Sequence, residues 1–188
     1  MTATRLRSMV PGDLTKVLAL ELELFPDDPW TAEMFAEEVV MPPGSRLYLV
    51  AEAAVTEGGT EEMAGYAGMM FVPGGPGGPR GGGGPQGGGG PRGGGVPRGG
   101  GGGGQADVLT IAVAPRCWGR GIGSALLAAL VQAARDHDCT EVFLEVREDN
   151  TRARGLYLRR GFEEIGVRRG YYQPSGVNAI VMRKDLLR

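Results

Sequence analysis

Residues 109–127 read LTIAVAPRCWGRGIGSALL, and the organisation of the whole chain follows from that stretch. An apolar, β-branched run ends at Pro115. Gly119-Arg120-Gly121-Ile122-Gly123 then opens a helix (121–137) that repeats Leu126, Leu130 and Ala134 on one face. A strand, a glycine turn and a helix in that order bring unpaired backbone N–H groups and the positive end of a helix dipole together. Glycines let a ligand approach the backbone, and Arg116 and Arg120 add charge, so the turn suits a pyrophosphate. A P-loop requires Gly-Lys-Ser/Thr, which is missing here. A dinucleotide fingerprint requires a third glycine. Counting from Gly119 puts Ser124 in that place, and counting from Gly121 puts Leu126 there. By themselves, the glycines fit a plain tight turn equally well.

Upstream, residues 13–24 (DLTKVLALELEL) place Leu14, Val17, Leu18, Leu20 and Leu24 on a helical stripe, and Phe25-Pro26-Asp27-Asp28-Pro29 ends it. Thr31 is a suitable N-cap for a second helix that closes at Met41-Pro42-Pro43-Gly44. Two β-rich runs follow at 46–53 and 64–72, joined by Glu57-Gly58-Gly59-Thr60. A short strand in TRLRSM, before the first helix, is also open. Downstream of residues 107–114 and the helix at 121–137 come a strand (141–148), a helix (151–160) and two strands (161–172 and 178–186). This order describes an α+β fold with helices on both faces of a sheet.

Residues 73–104 stand apart. They hold 21 of the 35 glycines and 6 of the 13 prolines, in units such as PRGGGG (79–84) and PQGGGG (85–90). Without those 32 residues, 156 remain, enough for one domain with a sizeable core. The spacer reads as a flexible loop inserted into a single domain spanning 1–188. A random coil of that length spans about 30 Å. Extending a turn of about four residues to that size is about three doublings, near 2 kcal/mol. Collagen-like pairing is disfavoured because Val96 breaks the glycine register. RNA binding is disfavoured because the segment has three arginines and no aromatic to stack on bases. The remaining 156 residues carry 17 basic and 22 acidic residues, net −5, which opposes non-specific nucleic-acid binding.

Other classes fall away. MTATRLRSMV lacks the apolar run of a signal peptide, and no apolar run approaches the ~18 residues of a membrane span, so a cytoplasmic protein is expected. Cys117, Cys139 and the single His137 offer neither metal-ligand spacing nor a histidine triad, so no metal is expected. His137, between Asp136 and Asp138, reads as a surface residue at a helix end.

The turn at 109–124 resembles the acyl-CoA-binding motif of the Gcn5-related N-acetyltransferase family, with Gly121 and Gly123 matching and Trp118 where Gln or Arg is usual. Residues 143–172, FLEVREDNTRARGLYLRRGFEEIGVRRGYY, are similar to the RimI-type group, which acetylates ribosomal-protein alanine. The shared positions include Leu144, Glu145, Val146, Arg147, Asn150, Ala153, Leu156, Tyr157, Gly161, Phe162, Arg168, Arg169, Tyr171 and Tyr172. Phe25-Pro26 and Trp30 echo that group's Phe-Pro-Trp-Ser, with two residues inserted. The resemblance implies a mostly antiparallel central sheet and acetyl-CoA as co-substrate. It implies that Ile111, Ala112 and Val113 pair with the pantetheine arm, and that Gly119, Arg120, Gly121, Ile122, Gly123 and Ser124 hold the pyrophosphate. Asn150 would bond the cofactor's amide backbone, Glu145 would be the general base and Tyr157 the general acid. Phe25, Trp30, Tyr171 and Tyr172 would meet the substrate.

Each of those residues also has a plainer reading. A carboxylate in mid-strand usually pairs with an arginine or faces water, a tyrosine on an inward helical stripe is core, and asparagine before a helix is an N-cap. An α-amine of pKa about 7.7–8.0 is a tenth to a fifth neutral at pH 7, whereas a lysine amine is neutral about once in 2,500. That difference favours an α-amine substrate for a carboxylate base. A phenol donating to the sulfur would help a thiolate leave. The resemblance implies acetylation of a protein or peptide N-terminus, with a ribosomal protein's N-terminal alanine as the expected substrate and without a nucleic-acid or membrane partner. Two rivals are lysine or small-amine acetylation on the same fold, and a non-catalytic acyl-CoA or RNA module using the Gly/Arg segment.

Overall fold

The computed structural model describes residues 4–26, 29–39, 44–54, 61–74 and 103–188. Its elements are β1 (Arg5–Ser8), α1 (Leu14–Leu24), α2 (Ala32–Val39), β2 (Arg46–Ala54), β3 (Glu61–Val72), β4 (Gly104–Val113), α3 (Ile122–Asp136), β5 (Cys139–Arg147), α4 (Thr151–Arg159), β6 (Glu163–Tyr172) and β7 (Val177–Asp185). The strands form one sheet in the order β1-β2-β3-β4-β5-β7-β6. β1–β2, β2–β3, β5–β7 and β6–β7 are antiparallel, and β4–β5 is parallel. The mixed α/β, mostly antiparallel expectation holds, and the optional strand before α1 is present. No helix among the described residues is long and apolar enough to cross a membrane.

Several expected boundaries move. Gly104, counted with the spacer by composition, is the first residue of β4 and pairs with Cys139. The ladder there needs only backbone, so glycine can enter it. β3 begins at Glu61 rather than 64, because Glu61 and Glu62 pair with Ala54 and Ala53 despite their charge. β5 begins at Cys139. The turn at 57–60, the end of the second helix at 40–43, Asp27-Asp28, and residues 75–102 of the expected flexible insert lie outside the described residues.

The chain divides into two compact units, Met1–Met70 with Leu109–Val131, and Phe71–Val108 with Gln132–Arg188. In the first, Val17, Leu20, Phe35, Val50, Tyr66, Met69, Ile122, Leu126, Leu127 and Leu130 are buried. The α1 stripe also buries an acid that apolar periodicity did not mark, Glu21, at 0% exposure. In the second, Val142, Phe143, Leu144, Tyr157, Phe162, Ile180, Val181 and Met182 are buried. His137 is exposed as expected, with its ring stacked on Phe71 at 3.9 Å.

Candidate active site

In the first unit, β4 ends at Val113 and a 3-10 turn, Pro115–Cys117, leads to the glycines. The strand end is fixed by Ala114 N–H donating to Ala64 O at 2.9 Å. Gly65 on β3 faces it: a Cβ there would lie 2.5 Å from the carbonyl oxygen of Ala112, so only glycine permits this approach. Gly119 and Gly121 have φ of +77° and +81°, the left-handed region that glycine enters freely, and a Cβ at either would meet open space. Open space beside a turn that leads into α3 at Ile122 is the shape an anion needs at a helix N-terminus, where the first N–H groups lack intrahelical acceptors.

The charged residues of this turn also have partners within the protein. Arg120 donates to the Ala54 carbonyl at 2.8 Å, and Arg116 reaches Met63 O and lies 3.6 Å from Glu62. Both guanidiniums thus reach neighbouring strand ends while staying exposed. Trp118 is half-exposed, and its indole N–H donates to Val113 O at 2.8 Å.

Phe25 and Trp30 share one anchor in this unit. The Glu21 carbonyl accepts the Phe25 N–H at 2.8 Å, and Glu21 Oε2 accepts the Trp30 N–H at 3.0 Å. Phe25 is partly exposed, whereas Trp30 is buried with its ring 5.1 Å from that of Phe35. Trp30 Nε1 is buried without a hydrogen-bond partner among the described residues.

In the second unit, Glu145 lies on β5 with its side chain 7% exposed. Its Oε1 accepts from Arg168 of β6 at 2.6 Å. Its Oε2 is buried and has no hydrogen-bond partner among the described residues. The sheet register explains the pairing. Glu145 stands opposite Val181 of β7, Val181 opposite Gly166 of β6, and Arg168 is two residues further on the same face. Between the two strands, Ala179 is opposite Arg147 on one side and Arg168 on the other, and its small side chain leaves room for long ones. Arg168 lies 4.4 Å over the ring of Tyr171, which packs edge-on to Tyr172 at 5.1 Å. Arg147 lies 5.3 Å over Tyr172 and forks onto Asp149. Burial opposes the Arg168 charge, but the hydrogen bond and opposite charge of Glu145 outweigh it and raise the arginine's pKa.

Asn150 precedes α4 and caps it, its Oδ1 accepting the Ala153 N–H at 3.0 Å. Its Nδ2 has no hydrogen-bond partner among the described residues. Tyr157, two turns on, is buried beside Phe162, at 6.0 Å between ring centres, and its carbonyl accepts the Phe162 N–H. Glu145, Tyr171 and Tyr172 are thus gathered around a residue that had been given no role, Arg168. The visible signal was Arg168 inside the matched pattern, 23 residues from Glu145. No group of His, Cys, Asp and Glu among the described residues could hold a metal ion.

Comparison with known proteins gives this geometry its context. The model of the acetyltransferase (GNAT) family matches residues 14–162, a span that draws on both units. Over 179 residues, 95% of this chain and 90% of the relative, it is 35% identical to the N-alpha-acetyltransferase RimI of Mycobacterium tuberculosis (strain ATCC 25618 / H37Rv). The crystal structure of the ribosomal-protein-S18-alanine N-acetyltransferase from Escherichia coli has the same fold, with a TM-score of 0.68 at 24% identity, covering 98% of this chain and 94% of that one. Arabidopsis thaliana NAA60 in complex with acetyl-CoA shares the fold with a TM-score of 0.73 at 19% identity, covering 99% of this chain and all of that one (100%).

Proposed function

The chain belongs to the acetyltransferase (GNAT) family and is an acetyltransferase, and from that premise we propose that it moves the acetyl group of acetyl-CoA to the N-terminal α-amine of a protein. The N-terminal alanine of a ribosomal protein is the substrate to which its relatives point. We read residues 1–188 as one catalytic domain working in the cytoplasm, where two buried free thiols, Cys117 and Cys139, suit a reducing environment.

One observation carries the reading. Glu145 is a buried carboxylate with one oxygen held by Arg168 and the other without a hydrogen-bond partner, so that second oxygen is left to accept from an ammonium group. Oε2 would attract the incoming α-ammonium and take its proton, directly or through a water. Acetyl-CoA, when bound, supplies an acyl carbon made electrophilic by its thioester. The turn fits such a ligand, because Gly119 and Gly121 leave open space and the N–H groups from Gly119 to Ser124 are carried on backbone and not on mobile side chains. Ile111, Ala112 and Val113 would orient the acyl arm, and the free amide of Asn150 would bond it. Tyr157 would donate to the departing sulfur. Phe25, Trp30, Tyr171 and Tyr172 would meet the peptide.

The test is acetyl transfer to matched peptides beginning with alanine, one with a free N-terminus and one N-blocked, each with an internal lysine. Modification of the free α-amine alone is the expected result. Modification of the blocked peptide at lysine would favour the side-chain reading. Replacing residues 75–102 with a four-residue linker tests the module reading. Retained turnover is expected, and its loss would move the function into that segment.

A further inference from the structure

The function described so far leaves Arg168 without a part, although the base depends on it. Its guanidinium takes up one of the two Glu145 oxygens at 2.6 Å, and a carboxylate so held can no longer rotate to exchange Oε1 for Oε2. The guanidinium is fixed in turn. It lies 4.4 Å over Tyr171, that ring rests edge-on against Tyr172, and Tyr172 lies beneath Arg147, whose fork is closed by Asp149. Two arginines and two tyrosines thus form a continuous stack from the β6–β7 end of the sheet to the carboxylate. The side chain of Arg169, the next residue, is exposed and has no hydrogen-bond or ion-pair partner among the described residues.

We propose that Arg168 is a positioning residue for acetyl transfer. It pins Oε1 so that Oε2 alone is presented to the amine, and Tyr171 holds the arginine in place by stacking on it. Arg168 does not touch the reacting atoms and acts through Glu145. The inference rests on the reading of Glu145 as the base, and the experiment separates the two.

Steady-state kinetics with acetyl-CoA and an alanine-terminal peptide would be compared for the intact protein and for Arg168→Met, Arg168→Lys, Tyr171→Leu, Glu145→Gln and the Arg168→Met/Glu145→Gln pair. Arg168→Met is expected to lower kcat about 10- to 100-fold while KM for acetyl-CoA stays within about threefold, the pattern of a lost orienting group. Arg168→Lys should recover part of the loss, because an ammonium can donate to Oε1 without the fork or the stacking plane. Added guanidinium ion should partly restore Arg168→Met. Tyr171→Leu should lower kcat less than Arg168→Met does. The double variant should be no slower than Glu145→Gln, since residues acting through one another are not additive. A rate for Arg168→Met within twofold of the intact protein, with Glu145→Gln impaired, would overturn the proposal and leave the base in place. So would a double variant slowed by the product of the two single effects. Full activity in Glu145→Gln would remove the base, and this inference with it. Should Arg168→Met not fold, Arg168→Lys and Tyr171→Leu carry the test, and unchanged kcat in both would overturn it.

Discussion

The indole N–H of Trp118 donates to the carbonyl oxygen of Val113 at 2.8 Å, joining the glycine turn to the end of the strand before it. The acyl-CoA-binding motif that this turn resembles usually has Gln or Arg at that place, side chains that can also donate. Trp118→Phe keeps the ring and removes the donor, at a cost of about 1 kcal/mol. KM for acetyl-CoA should rise several-fold, with kcat little changed. Trp118→Gln should stay within about threefold of the original on both constants. Equal kinetics for the phenylalanine variant would show that the indole donor is idle.

Gly121 occupies the left-handed region at φ +81°, with nothing within 4 Å of where a Cβ would sit. Alanine there meets no neighbour and carries only the backbone penalty, about 1–2 kcal/mol. A melting temperature lowered by several degrees is expected for Gly121→Ala. If the turn holds the pyrophosphate, KM for acetyl-CoA should rise as well. A lower melting temperature with unchanged KM would mean that the turn is structural only.

The two ends of the Asn150 amide have different surroundings. Oδ1 caps α4, and Nδ2 is available. Asn150→Ala should lose about 1 kcal/mol of stability. Asn150→Asp keeps the capping oxygen, so its stability should be close to the original. Both variants should raise KM for acetyl-CoA if Nδ2 bonds that ligand. A KM raised by alanine alone would assign Asn150 to the cap.

The Arg7–Asp13 pair makes stability depend on acid. Two hydrogen bonds from Arg7, at 2.7 and 2.8 Å, hold the Asp13 carboxyl well below the usual carboxylate range against the opposing effect of burial, and the Val10 N–H assists. A lowered folded-state pKa stabilises above the unfolded value of about 3.9, and the contribution is lost as pH falls through the depressed value. Asp13→Asn should cost about 1–3 kcal/mol at pH 7. Urea midpoints for the two proteins should converge as pH drops below about 4. A gap that does not narrow would mean that the pair contributes nothing through charge.

Much of this molecule is legible before folding. Leu126, Leu130 and Ala134 announce the buried face of α3 because a 3.6-residue period leaves little choice. Asn150 announces its cap because the geometry is local. What sequence does not disclose depends on strand order. Glu145 and Arg168 are 23 residues apart and meet only because β7 lies between β5 and β6, with its register placing Val181 and Ala179 on the same face. Glu21 escaped notice for a related reason. An acid on an apolar stripe becomes intelligible once the Trp30 amide is found pointing at it. Arg120 is a similar case: its charge is legible in the sequence, but its bond to the Ala54 carbonyl, 66 residues away, is not.

Gly104 belongs by composition to the repeat and by hydrogen bonding to β4. Its neighbour Gly103 is the position without room, since a Cβ there would run into the side chain of Thr140, whereas at Gly104 the nearest atoms stand 3.4 Å or more away. Entry into β4 is thus guarded one residue before the strand begins: a side chain at 103 would have to displace Thr140 of β5 before the pairing of Gly104 with Cys139 could form.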